Sequence, residues 1–159
     1  MRNAMRLVLA GAVLGFASLA GSGGAAAEPL RDGGVTAQEV AGVLRTMKLP
    51  VQLTTDKEGD PLIYSNIAGQ KFGVYFYQCK GPRCGSIQFS AGFEGAELVP
   101  NEKVADWNRT KRFGRAYLSN GTLYVEMDMD VEHGATTEAL ANNLERWRAV
   151  AEQFPKYFK

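Results

Sequence analysis

Four carboxylates, Glu126, Asp128, Asp130 and Glu132, stand at every second position, and the single histidine, His133, follows them. Residue types of this kind do general acid–base work or hold a metal ion. Period-two spacing puts the four on one face of a strand, ~6.6 Å apart along it. One cation cannot bridge that interval without ligands from another element. Arg115 is expected to oppose Glu126, and Arg112 or Lys111 to approach Asp128, so a solvated, salt-bridged sheet face accounts for the row. A small periplasmic hydrolase working from Glu126, Asp128, Asp130 and His133 is the alternative, but it lacks a nucleophile and base at a recognisable spacing. No catalytic, cofactor or metal residue is assigned, and no cofactor is implied.

Cys79 and Cys84 are the only cysteines. A redox motif usually has two residues between its cysteines and a helix start beneath them; here there are four residues on a hairpin. A zinc site needs two further ligands, which one histidine cannot supply. A structural disulfide is the reading that suits an oxidising compartment. Directly opposed residues of a non-hydrogen-bonded antiparallel pair lie ~4.5 Å apart, within bridging range.

That compartment follows from the first residues. Arg2 and Arg6 make a basic start, Leu7–Leu19 an apolar run, and Ala25-Ala26-Ala27 a small-residue cleavage pattern. This reads as a signal peptide over residues 1–27, cut between Ala27 and Glu28, which sends the chain to the periplasm or out of a bacterial cell. The apolar run falls short of the ~20 residues a membrane span needs. The chain carries 18 basic against 17 acidic residues. Losing Arg2 and Arg6 tips this balance slightly acidic, which argues against general nucleic-acid binding. Residues 28–34 read as a short mobile leader and residues 35–159 as one domain.

The elements that position these groups follow from periodicity. Phe72–Cys79 and Cys84–Phe93 alternate as a hairpin, with Cys79 opposite Cys84, Phe76 opposite Ile87, Val74 opposite Phe89 and Phe72 opposite Ala91. The two cysteines, Tyr75, Tyr77, Ser86 and Gln88 take the polar side. Asn120-Gly121 centres a second hairpin that sets Leu118 against Leu123, Tyr117 against Tyr124, Ala116 against Val125 and Arg115 against Glu126. Shorter strands are expected at Val51–Thr55 and Leu62–Ile67. Thr36-Ala37-Gln38-Glu39 is a capping box opening a helix that Pro50 closes. Asn101 is expected to cap a second helix to about Arg112, stopped by Gly114, with Arg109, Lys111 and Arg112 favoured by its dipole. Thr136 or Thr137 opens a third. It carries the stripe Leu140, Leu144, Trp147, Ala151, Phe154 and Phe158 and should break or kink at Pro155. Its polar face mixes acids and bases, unlike a membrane-surface helix. The sum is an α+β domain, an antiparallel sheet of about five to six strands with N-terminal, middle and C-terminal helices.

Val104-Ala105-Asp106-Trp107-Asn108-Arg109, followed by Arg112-Phe113-Gly114-Arg115-Ala116-Tyr117-Leu118, resembles the N-x-W-N … R-F-x-R-A-Y pattern of the YbjN-like family. Asp106 stands where that family often has Asn or Glu. The Cys79…Cys84 hairpin with Ser86-Ile87-Gln88-Phe89 resembles the exported branch. The resemblance covers roughly Val35 to Phe158. It implies a fold similar to type III secretion chaperones and a non-enzymatic role in sensory-transduction regulation, and it carries over no catalytic residues. The expected working surface is the polar sheet face of Tyr75, Tyr77, Gln88, Arg115, Tyr117 and Tyr124, since Tyr and Arg are common at interfaces. Its partner would be an unidentified protein or a second copy, with no nucleic acid and no membrane after signal cleavage.

Overall fold

The structure, a computed structural model, describes residues 26–159. The basic start and apolar run of the expected signal peptide therefore lie outside the described residues. Six antiparallel strands form the main sheet: β2 (Gln52–Thr55), β3 (Pro61–Ile67), β4 (Gln70–Lys80), β5 (Arg83–Phe93), β7 (Thr122–Asp130) and β6 (Arg115–Ser119), in that spatial order. The β4–β5 register has Cys79 opposite Cys84, Phe76 opposite Ile87 and Val74 opposite Phe89. The Asn-Gly hairpin pairs Leu118 with Leu123, Tyr117 with Tyr124 and Arg115 with Glu126. Both registers are those the alternation requires, because a one-residue slip would send Phe76, Phe89 and Val125 to water.

Three helices cover one face: α1 (Ala37–Thr46), α2 (Asn101–Thr110) and α3 (Thr137–Phe158). Trp147 of α3 sits 5.8 Å from Phe72 and 6.0 Å from Phe89, centroid to centroid, so α3 lies on the β4–β5 core face. Trp107 of α2 meets Phe154 of α3 edge-on at 4.8 Å. The fully buried side chains Phe76, Ile87, Leu44 and Leu144 complete this core. The capping box at α1 is present, with Thr36 N–H donating to Glu39 Oε2 at 2.7 Å and Glu39 N–H to Thr36 Oγ1 at 3.2 Å.

Four details of the helices differ from the sequence reading. Helix α1 ends at Thr46, before Pro50, because Lys48 turns left-handed (φ 59°) and Leu49 N–H returns to the Leu44 carbonyl. Pro100, whose fixed φ suits a helix start, holds the N-cap position of α2, and Asn101 is already helical. That helix stops at Thr110, leaving Lys111 as its extended C-cap and Arg112 beyond it. Helix α3 runs through Pro155 to Phe158. Proline removes one backbone donor, but Phe154, Tyr157 and Phe158 all pack on Trp107, and this holds the last turn.

The leader is not loose. Pro29–Leu30 (β1) pairs with Ala135–Thr136 (β8), Gly33 N–H donates to the Glu132 carbonyl, and Val35 pairs with Cys84 by two backbone hydrogen bonds. Leu30 and Val35 are apolar residues that gain burial by this pairing, which outweighs the freedom they lose.

Candidate binding face

Among the described residues no helix lies over the other side of the sheet. Direct pairing fixes which residues share that side. One row runs Tyr64, Gly73, Ser90, Glu126, Arg115; the next runs Leu62, Tyr75, Gln88, Asp128; a third runs Tyr77, Ser86, Asp130; and Gly92, Tyr124 and Tyr117 make a fourth. Tyr75, Tyr77, Gln88, Arg115, Tyr117 and Tyr124 are therefore brought onto one surface. Tyr77 is 42% exposed and Tyr64 46%.

The glycines in these rows make room for rings. A Cβ on Gly73 would stand 2.7 Å from Tyr75 Cε2, and one on Gly92 would stand 3.0 Å from Tyr124 Cε1. Tyr75 thus lies back along its own strand over Gly73, Tyr124 lies across the neighbouring strand over Gly92, and Leu62, paired with Tyr75, is buried outside the main core. Tyr117 and Tyr124 stack at 5.2 Å and 17°, with the Arg115 guanidinium 5.3 Å from the Tyr117 ring.

Hydrogen bonds tie the polar tips together. Arg115 Nη2 donates to Glu126 Oε2 at 2.7 Å and Tyr117 Oη to Glu126 Oε1 at 2.6 Å, which satisfies both oxygens of a carboxylate only 8% exposed. Burial, then the bond to Glu126, pushes the Tyr117 phenol up to about 12. Burial also raises Tyr75 and Tyr77. Tyr77 Oη donates to Gln88 Oε1 at 3.3 Å, and Gln88 Nε2 to Asp128 Oδ1 at 2.9 Å. Asp130 caps the Glu132 amide at 2.9 Å. Asp128 and Asp130 make no ion pair among the described residues, so this end of the face is acidic.

Arg112 and Lys111 do not approach Asp128 as the charge pattern suggested. Both follow the end of α2, where Lys111 Nζ lies over the Tyr157 ring and Arg112 over that of Phe113. His133 is exposed in the turn after β7. Among the described residues no three His, Cys, Asp or Glu side chains gather closely enough to hold a metal ion.

Cys79 and Cys84 form a disulfide with Cα atoms 3.8 Å apart. The hydrogen-bonding groups of Cys84 face Val35, so the cysteines are a non-hydrogen-bonded pair, as bridging favours. They do not sit on the open face as strict alternation predicts. Gln78 is left-handed (φ 57°), which interrupts the pleat, and the leader covers Cys84 completely.

Two features had weaker sequence signals. Tyr64 joins the face, as the alternation of Leu62, Tyr64 and Asn66 around Ile63 implies. Arg83 closes the hairpin end inward. Its Nη1 meets Glu39 Oε1 at 3.2 Å, and Nη2 donates to the carbonyls of Arg31, at 3.3 Å, and Gly34. Burial raises the Glu39 carboxyl, but the Thr36 amide and Arg83 outweigh it and hold the group below its ordinary value.

The sequence pattern Trp-Asn … Arg-Phe-Gly-Arg-Ala-Tyr now has a physical meaning. Trp107 Nε1 donates to the Gly114 carbonyl at 2.8 Å. Asn108 Nδ2 donates to the Ala116 carbonyl at 2.9 Å, and Ala116 N–H returns to Asn108 Oδ1 at 2.8 Å. The side chain of Asn108 thus pairs with β6 as a strand would. Residues 36–159 match the family model described as "YbjN: Putative bacterial sensory transduction regulator". The chain belongs to the YbjN family. No curated protein and no solved structure matches it. The YbjN match begins at the α1 capping residue and runs through the whole sheet and α3.

Proposed function

We propose that this YbjN domain is an exported, non-enzymatic binding module of a bacterial sensory-transduction pathway, acting through protein contacts made by its tyrosine face. The observation that carries the reading is the six-stranded sheet with helices on one side only among the described residues, its other side bearing five tyrosines, of which Tyr75, Tyr77, Tyr117 and Tyr124 are held by hydrogen bonds, stacking or packing over glycine. Rigid aromatic rings offer contact area at low entropic cost. The occupant is a partner protein presenting arginines. Guanidiniums pair with Asp128 and Asp130 and stack on the adjoining rings of Tyr75 and Tyr77. Two copies meeting face to face at this acidic end would repel, which favours a different protein over a second copy. The family's regulatory description and the disulfide support a binding role in an oxidising compartment.

Light scattering on the purified protein, alone and with a periplasmic extract, tests this. A complex that forms with the wild type and is lost with Asp128→Lys/Asp130→Lys, at unchanged thermal stability, is the expected result. A complex indifferent to those changes and to Tyr77→Ala moves the site elsewhere. Residues 1–27 fused to alkaline phosphatase should give periplasmic activity, and a silent fusion would remove export from the proposal.

A further inference from the structure

The loop between α2 and β6 is held more firmly than a connection needs. Trp107 and Asn108 fix it by three hydrogen bonds. Gly114 takes φ 73°, and a Cβ there would stand 2.8 Å from Val150 Cγ1. Phe113 is left-handed at φ 59°, a conformation unfavourable for an L residue. The outcome is an exposed phenyl ring with two guanidiniums over it. Arg112 lies 5.2 Å from its centroid, and Arg146, arriving from α3, lies 5.5 Å away. These groups and Lys111 surround a cavity of about 290 Å³ floored by Trp107 and Val150.

The charges are unbalanced there. Arg83, Arg109, Arg115 and Arg148 each meet a carboxylate; Arg31 and Arg45 meet none among the described residues, and neither do Lys111, Arg112 and Arg146, but these last three line one cavity. The dipole of α2 accounts for Arg109 in its last turn, but Arg112 lies past the helix and Arg146 belongs to another. Two guanidiniums over the Phe113 ring, with Lys111 Nζ over the Tyr157 ring at the same cavity, store repulsion that an anion relieves. Guanidiniums bind carboxylate and phosphate oxygens in pairs. The ring, with the apolar floor, suits the rest of a small molecule.

From this we infer that the cavity binds a small organic anion, a carboxylate or phosphate monoester on an apolar body, between Arg112 and Arg146 against Phe113. The site is on the helix side of the sheet and is independent of the tyrosine face.

Titration of the purified protein with benzoate, phenyl phosphate and inorganic phosphate, read by amide and indole NMR shifts, is the test. Saturable shifts at Lys111–Gly114 and the Trp107 indole are expected with benzoate or phenyl phosphate, and which one binds tells the head group. Inorganic phosphate should bind about tenfold more weakly or worse, for want of a body to bury. Arg112→Gln and Arg146→Gln should each weaken binding about tenfold, while Arg45→Gln on α1 leaves it unchanged. Absence of saturable shifts with both phenyl compounds overturns the inference. So does binding that survives the double substitution, and equal binding of inorganic and phenyl phosphate overturns its apolar half.

Discussion

Arg83 joins three parts of the chain through one side chain. It meets Glu39 in the first turn of α1 and two leader carbonyls, and it does so while only 22% of the side chain is exposed. Hydrogen bonds to charged groups contribute roughly 1.5–3 kcal/mol each, and an unmade buried one costs similarly. Arg83→Ala should therefore lower unfolding free energy by about 2–3 kcal/mol, seen as a lower urea midpoint, and strip hydrogen-exchange protection from Gly33 and Val35 first. Arg83→Lys should recover only part, since one ammonium cannot serve two leader carbonyls and a carboxylate at once. A variant as stable as the wild type, with Val35 still protected, would show that burial of Leu30 and Val35 holds the leader alone.

At the scale of elements, α2 and β6 are coupled by Asn108, whose amide closes two hydrogen bonds with Ala116. Asn108→Ala leaves a buried carbonyl and amide without partners, at about 1–3 kcal/mol. The cost should show in a thermal melt, with faster exchange at Ala116. Asn108→Asp should restore only the bond accepted from Ala116 N–H, because a carboxylate cannot donate. The strands were legible because two hairpins carry their own register marks, Asn120-Gly121 and the paired cysteines, with alternation on both arms. The shared face of Tyr75, Gln88, Tyr124 and Arg115 followed from the same period. What the sequence did not disclose depends on distant partners. The leader's role rests on Cys84 and Glu132, far along the chain. The end of α2 is set by Trp107 and Asn108 reaching forward to β6, so Gly114 marks the turn and not the stop. Helix α3 survives Pro155 through contacts with Trp107, which local propensity does not contain. Arg146 reaches Phe113 only because α3 crosses there.

Over the whole molecule, carboxylates and phenols set the two ends of the pH range. On the helix side, Glu39 is held below its ordinary 4.5 and Asp106 below its ordinary 3.8, Asp106 chiefly by the hydrogen bond from Tyr157. A depressed carboxylate stabilises the fold above its unfolded pKa and loses that contribution as pH falls through its folded one. Stability should therefore decline on acidification below about pH 4.5, and Glu39→Gln should flatten this limb while lowering stability at neutral pH. On the sheet side, Tyr117 is raised from 10 to about 12 by burial and its bond to Glu126. The unfolded chain releases that proton first, so the contribution is whole below pH 10 and lost between pH 10 and about 12. Tyr157, raised by its bond to Asp106, adds to the same limb. Urea midpoints across pH, with absorbance at 295 nm following phenolate formation, check this. Tyr117→Phe should remove the latest-titrating phenol and soften the alkaline fall. If the wild type and Tyr117→Phe lose stability in parallel above pH 10, the Tyr117–Glu126 bond does not hold the tyrosine face in solution. The rigidity on which the docking surface depends would then have to come from ring packing over Gly73 and Gly92 alone.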